Sequence, residues 1–241
     1  MILYLVFIVL LFISMLVYFK IANKYNIIDK PNERSSHTEI TLRGGGIIFP
    51  LAFLFFLIYK FFFKTNINSD EGFLIVDFLK FGAGLLLICI VSFVDDMVDL
   101  SSKIRLIFHF VSVSLLLYFI NAFQLLPIWA IPVLYIIIIG ILNAFNFMDG
   151  INGITGLYSI VVLGALLYVN EYLLNFTDNN FIIFPILASA VFLFFNFRKR
   201  AKSFMGDVGS LGIGFWIVAL LGLLIIKTND LKYILFLAVY G

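Results

Sequence analysis

The chain has 241 residues, 63% of them apolar and 18% aromatic, with only 12% charged, a formal net charge of +2 and a mean hydropathy of +1.13. That composition excludes a water-soluble domain and points to an integral membrane protein. A single cysteine, Cys89, excludes an intrachain disulfide, and its apolar surroundings predict plain packing.

A bilayer core about 30 Å thick takes roughly 20 helical residues to cross. In chain order, spans are predicted near 2–19, 47–63, 78–94, 106–120, 133–148, 154–169, 181–197 and 211–226, and a partial ninth starts at Leu231. Only Met1 precedes the first span, with no basic stretch before it and no small-residue cleavage site after it, so it is expected to be retained. The fold class expected is all-α, a polytopic bundle forming one membrane-embedded domain over 1–241. Neither a fixed-period repeat nor a low-complexity tract interrupts it.

Orientation follows from the cations. The connections after spans one, three and seven hold Lys20, Lys24, Lys30, Arg34, Arg43, Lys103, Arg105, Arg198, Lys199, Arg200 and Lys202, eleven of the sixteen Lys and Arg. Lys60, Lys64, Lys80, Lys227 and Lys232 fall on the other side. Cytoplasmic connections are enriched in Lys and Arg, so the basic side is expected inside and the N-terminus outside. Every motif-like stretch falls on that same side: "DKPNERSSHTEITLRGGG" (29–46), "DDMVD" (95–99), "NAFNFMDGINGI" (143–154) and "RKRAKSFMGDVGS" (198–210).

Asp95, Asp96 and Asp99 crowd one helix end, where like charges repel unless a cation compensates them. Mg²⁺ suits such a cluster, since it takes oxygen ligands and is usually held by one or two carboxylates plus substrate phosphates. The plainer alternative is a solvated helix end paired with Lys103 and Arg105. Asn143, Asn146 and Gly150 recur at i, i+3 and i+7 beside Asp149, lining amides and a carboxylate along one stripe; capping by Asp149 or Asn152 is the alternative. Asp207, between glycines at a helix start, can cap that helix or let backbone N–H groups approach phosphate. The basic run 198–202 sets topology and also suits pyrophosphate. His37, Arg34 and Arg43 can grip phosphate. His109, one turn after Arg105, reads first as a packing or interfacial residue and second as one that reaches the acidic cluster.

Taken together, "FVDDMVD", "NAFNFMDGINGI", "FMGDVGS" and "DKPNERSSH…RGGG" strongly resemble the polyprenyl-phosphate N-acetylhexosamine-1-phosphate transferases, the MraY/WecA-type enzymes of bacterial membranes, over 29 to about 215. The branch serving O-antigen or capsule assembly is the most similar. The resemblance implies Mg²⁺-dependent transfer (Mn²⁺ being the alternative metal) of a sugar-1-phosphate from a UDP-sugar to undecaprenyl phosphate in the cytoplasmic membrane, with release of UMP. Asp207 would bind the metal, Asp95 or Asp96 would deprotonate the lipid phosphate, and Asn143, Asn146, Asp149, Asn152, Arg43 and His37 would bind substrate. The partners implied are a UDP-activated amino sugar, undecaprenyl phosphate and membrane lipid. No nucleic acid is expected, and a homodimer is admissible. Many relatives have Asp where this chain has Asn152, and they carry a further Arg- and His-rich inside loop, so the domain is expected to lack their C-terminal part. Two other readings are an aspartate-rich intramembrane prenyltransferase and an ion-coupled transporter. The first expects a second Asp-rich motif, and the second expects acids near the bilayer midplane.

Overall fold

A computed structural model of the chain describes residues 2–29, 40–63 and 75–237. Among these, eight helices are long and apolar enough to cross a membrane. They are α1 (Ile2–Lys24), α2 (Ile48–Phe63), α3 (Ile75–Val98), α4 (Ser102–Phe119), α6 (Ala130–Met148), α7 (Ile154–Tyr168, continued by one π turn), α8 (Asn179–Asn196) and α9 (Asp207–Thr228). A short α5 (Ala122–Leu125) lies between α4 and α6. The predicted all-α bundle is therefore present. A two-residue antiparallel pair, β1 (Ile28–Asp29) with β2 (Thr41–Leu42), is the one sheet among the described residues. The segment from Leu231 begins where the partial ninth span was expected, but Leu231–Leu237 is a 3₁₀ helix. His37 and Arg34 lie outside the described residues.

At the motif-bearing end several helices run past their apolar stretches. The runs stopped at 94 and began at 106 and 211, whereas the helices reach Val98 and start at Ser102 and Asp207. Hydropathy marks the depth of hydrocarbon, while i→i−4 bonding continues beyond it into the interface. Asp95, Asp96 and Asp207 consequently stand on helices rather than on loops.

Helix α9 is the axis of the bundle. It is apolar on all sides, and every residue from Val208 to Leu221 is buried, as expected of a helix surrounded by others. Small residues let neighbours come close: Gly46 and Gly209 sit backbone to backbone, and a Cβ on either would overlap the other. By contrast α6 buries only Ile138, Leu142 and Phe145 and turns most of its surface outward.

The half of the bundle away from the motifs is filled by aromatic rings, among them Phe53, Phe56, Phe78, Phe81, Phe181 and Trp216 in edge or tilted contacts. Pro185 lies inside α8. Lacking an N–H, it leaves the Phe181 carbonyl without its i+4 donor. The indole of Trp216 supplies that donor at 3.0 Å. At the same end Lys60 meets Asp178 at 2.6 Å, both buried. Burial pushes the Asp178 carboxyl upward, but the Lys60 hydrogen bond, the Asn180 backbone N–H and the Lys60 charge outweigh it and hold the group below its ordinary range.

Trp216→Phe keeps most of the ring but strips the Phe181 carbonyl of its donor, and should cost about 1–3 kcal/mol. In a Pro185→Ala background the restored N–H can take over, so the same change should cost less. Thermal unfolding of the four proteins in detergent measures both values.

Candidate active site

The four motif-bearing connections meet at one end of the bundle. Phe204 N–H donates to the Leu42 carbonyl, and Gly45 and Gly46 N–H donate to the Phe204 and Met205 carbonyls, all at 2.8–2.9 Å. Asn196 locks two further connections, accepting from Gly153 N–H at 2.7 Å and donating to the Ser203 carbonyl at 3.0 Å. Asn152 reaches the Arg198 carbonyl at 3.1 Å.

Gly206 precedes α9 with φ 71° and ψ 172°, a backbone region that is essentially glycine's alone. A Cβ there would meet Asp96 Oδ2 at 2.7 Å. The close approach lets the Asp207 N–H donate to Asp96 Oδ2 at 3.1 Å. The carboxylate that caps α9 therefore comes from α3. Asp207, the cap candidate in the sequence, occupies the first helical position with its own carboxylate directed elsewhere. Arg43 Nη2 lies 2.5 Å from Asp96 Oδ1 and 3.3 Å from Asp207 Oδ1, joining the two acids. The Arg43 carbonyl is held in turn by the Tyr18 hydroxyl at 2.5 Å.

The three clustered aspartates separate. Asp95 accepts from Leu100 N–H at 2.7 Å and pairs with Arg105 at 3.0 Å. Asp96 turns toward α9. Asp99 is exposed and adopts a left-handed conformation, φ 54°, where α3 ends. The helical i and i+4 spacing of Asp95 and Asp99 persists as a backbone bond of 3.0 Å, while the Asp99 side chain stays exposed.

Two cavities flank Asp207. A polar cavity of about 400 Å³ is lined by Asp29, Arg43, Asn146, Asp149, Asn152 and Asn196, together with Asp207 and Ser210. A crevice of about 380 Å³ on the other side is lined by Asp95, Ser102, Arg105, His109, Asn143 and Asn146, with Asp207 in common. Asn146 and Asp207 are the two residues that face both. Through Leu106, Ile139 and Asn143 the crevice continues into an apolar groove of about 660 Å³ between α4 and α6. The predicted substrate-binding set thus divides: Arg43, Asp149 and Asn152 line the polar cavity, Asn143 lines the crevice, and Asn146 faces both. The basic run 198–202 lines neither. Asp29, Asn196 and Ser210 were not singled out from sequence. The polar residue Asn196, at the end of an otherwise apolar span, was the available signal.

Among the described residues no three His, Cys, Asp or Glu side chains converge, so these residues alone form no metal cage. A hard cation that draws further ligands from a substrate fits better. The Asp96 side chain is 2% exposed, and its Oδ1, though beside Arg43, receives no directed N–H. Asp207, 24% exposed, presents its carboxylate to both cavities. Asp207, with Asp96 behind it, offers carboxylate oxygens to such an ion; Asp29 and Asp149 also line the polar cavity, and Asp95 the crevice.

Asp149 follows the last residue of α6 and accepts a 2.6 Å hydrogen bond from Thr155. Burial pushes its carboxyl up to about 7; the Thr155 hydrogen bond opposes this and the Asp207 charge adds to it. Since an unfolded carboxylate titrates near 3.8, the folded state binds more protons between those values, and stability falls as pH rises through that window. Asp149→Asn should therefore raise the melting temperature at pH 8, and the gain should vanish near pH 4. Thermal scans at the two pH values check this.

Residues 78–226 match the model of the family described as Glycosyl transferase family 4. The phospho-N-acetylmuramoyl-pentapeptide-transferase of Petrotoga mobilis is 31% identical, covering 70% of this chain and 56% of the relative. The enzyme of the same name from Borreliella afzelii is 32% identical, covering 83% and 65%. A probable undecaprenyl-phosphate N-acetylglucosaminyl 1-phosphate transferase of Bacillus subtilis is 28% identical, covering 85% and 58%. The chain therefore spans less than two thirds of the length of these curated relatives. The matched region runs from α3 through α9 and holds Asp95, Asp96, Asn146, Asp149 and Asp207, and the chain belongs to glycosyl transferase family 4, among the MraY/WecA-type proteins.

Proposed function

We propose that the chain transfers an N-acetylhexosamine-1-phosphate, or a related amino-sugar-1-phosphate, from a UDP-sugar to undecaprenyl phosphate, releasing UMP and starting a lipid-linked cell-surface glycan. The observation that carries this reading is the pair of cavities meeting at Asn146 and Asp207, one polar and one continuous with an apolar, outward-facing groove. A water-soluble nucleotide sugar suits the first, and a phosphorylated isoprenoid suits the second. The names of the relatives, which include an undecaprenyl-phosphate transferase, support the same reaction class.

In this reading an oxygen of the lipid phosphate attacks the phosphorus that carries the sugar. The bond from that phosphorus to the bridging oxygen breaks, and UMP leaves with the oxygen. Phosphoryl transfer asks mainly for alignment and charge neutralisation. Arg43, Asn146, Asp149 and Asn152 orient the donor. Asp95, which lines the crevice, takes the proton of the lipid phosphate; Asp96, capping α9 and facing Arg43, is the weaker candidate for that step. Asp207, with Asp96 behind it, would hold Mg²⁺, which when bound would supply neutralisation of the developing charge. In this reading the active site faces the cytoplasm from the bacterial inner membrane, and the concentration of Lys and Arg on the motif-bearing side supports that orientation.

The reading is tested by supplying the detergent-solubilised protein with undecaprenyl phosphate and a panel of labelled UDP-amino sugars, and following lipid-linked product and exchange of UMP into donor. Folded protein with no transfer from any donor would sink it. Turnover should stop with chelator and return with Mg²⁺ or Mn²⁺. Asp207→Asn should abolish turnover, Asp95→Asn should lower it roughly 10²–10⁴-fold, and Asp99→Asn should change it only a few-fold, because Asp99 is exposed at the helix end. Orientation has its own test: a membrane-impermeant thiol reagent on intact cells should miss Ser102→Cys and label Asn68→Cys.

A further inference from the structure

We propose that His109 contacts the phosphate of the acceptor lipid, donating an imidazole N–H to it from the α4 wall of the crevice. The inference rests on the reading that the crevice holds that lipid. His109 is 7% exposed and lines the crevice beside Asp95, Arg105, Asn143 and Asp207. Its ring makes no hydrogen bond to any described residue, and its nitrogens are not among the side-chain atoms sealed off without a partner, so they stay accessible from the crevice. Two residues of the crevice wall are already engaged. Asp95 is held by Leu100 N–H and Arg105, and the Asn146 amide donates to Ser210 at 3.3 Å. The unengaged ring therefore borders the empty space, where a ligand rich in oxygen acceptors would satisfy it.

The placement along α4 specifies the ligand further. Ser102, Arg105 and His109 follow one another at helical spacing and face the polar part of the crevice, with Arg105 and His109 one turn apart. Leu106 and Phe110 face the apolar groove, where Phe110 stacks on Tyr135 with ring centroids 4.2 Å apart. One helix thus offers two donors to an anionic head group and an apolar track to the chain attached to it. A phosphate monoester on an isoprenoid chain has both parts.

Binding of undecaprenyl phosphate to the solubilised full chain is compared with binding of undecaprenol, and with competition by inorganic phosphate, in wild type, His109→Leu and His109→Gln. Losing one hydrogen bond to a charged group should weaken undecaprenyl phosphate about 10- to 100-fold in His109→Leu. His109→Gln, which keeps an N–H donor, should recover most of the affinity. Undecaprenol should bind wild type and His109→Leu equally, and inorganic phosphate should compete more weakly in His109→Leu than in wild type. Should His109→Leu fail to fold, His109→Phe, a ring without a donor, carries the same comparison. Equal affinity of wild type and the donor-less variant for undecaprenyl phosphate, equal competition by phosphate, or a parallel loss of undecaprenol binding would overturn the role of His109. Wild type that binds neither lipid would instead overturn the acceptor assignment.

Discussion

The carboxylate of Asp96 is buried where three segments far apart in sequence have to meet. It accepts the first N–H of α9, sits against the Arg43 guanidinium, and lies so close to Gly206 that no side chain fits there. A buried acid of this kind is tolerable only while its partners stay in place, and removing one partner of a buried ion pair typically costs about 3–5 kcal/mol. The positive end of α9 and the Arg43 charge together supply that compensation. With α3, the Arg43 segment and α9 tied at one point, Asp207 has little freedom in where its own side chain goes. The glycines follow from the same constraint, since only their bare backbones let the Gly44–Gly46 segment and the start of α9 approach so closely.

From that junction the rest of the inner end takes its form. Because α9 runs down the middle of the bundle, its first turn is bordered by space on two sides, one enclosed by connections and one by α4 and α6. The outward-turned α6 leaves the second space continuous with a groove toward lipid. The opposite half of the molecule carries the aromatic contacts. Its aromatic packing, the Lys60–Asp178 pair and the Trp216 bond to the carbonyl freed by Pro185 leave few polar groups unsatisfied in a region without water. The polar cavities thus lie at one end and the aromatic packing at the other.

The spans, their number and the gathering of motifs at one end were legible in the sequence because each depends on local properties: hydropathy, charge and the alternation of sides. Which aspartate does what was not. Asp95 and Asp96 are adjacent, yet a rotation of about 100° per helical residue turns one toward Arg105 and the other toward α9, and no pattern within α3 records what stands on each side. The capping of α9 by Asp96 joins residues 111 positions apart. Asn196 escaped notice for a related reason. Its role in locking two connections exists only once Gly153 and Ser203 are brought to it. From sequence His109 reads first as a packing residue, and it is buried; that its ring has no hydrogen-bond partner among the described residues appears only in three dimensions.

The separation of the two cavities has a kinetic meaning. Under the proposed assignment the donor arrives from bulk water, and its occupancy follows moles per litre. The acceptor arrives by lateral diffusion in two dimensions, and its occupancy follows its mole fraction among the surrounding lipids or detergent. Diluting the whole mixture with buffer at constant lipid-to-detergent ratio would then starve only the polar cavity, whereas adding inert detergent would starve only the groove. A wall as thin as Asn146 and Asp207 would thus be where a volume concentration and a surface concentration are multiplied together.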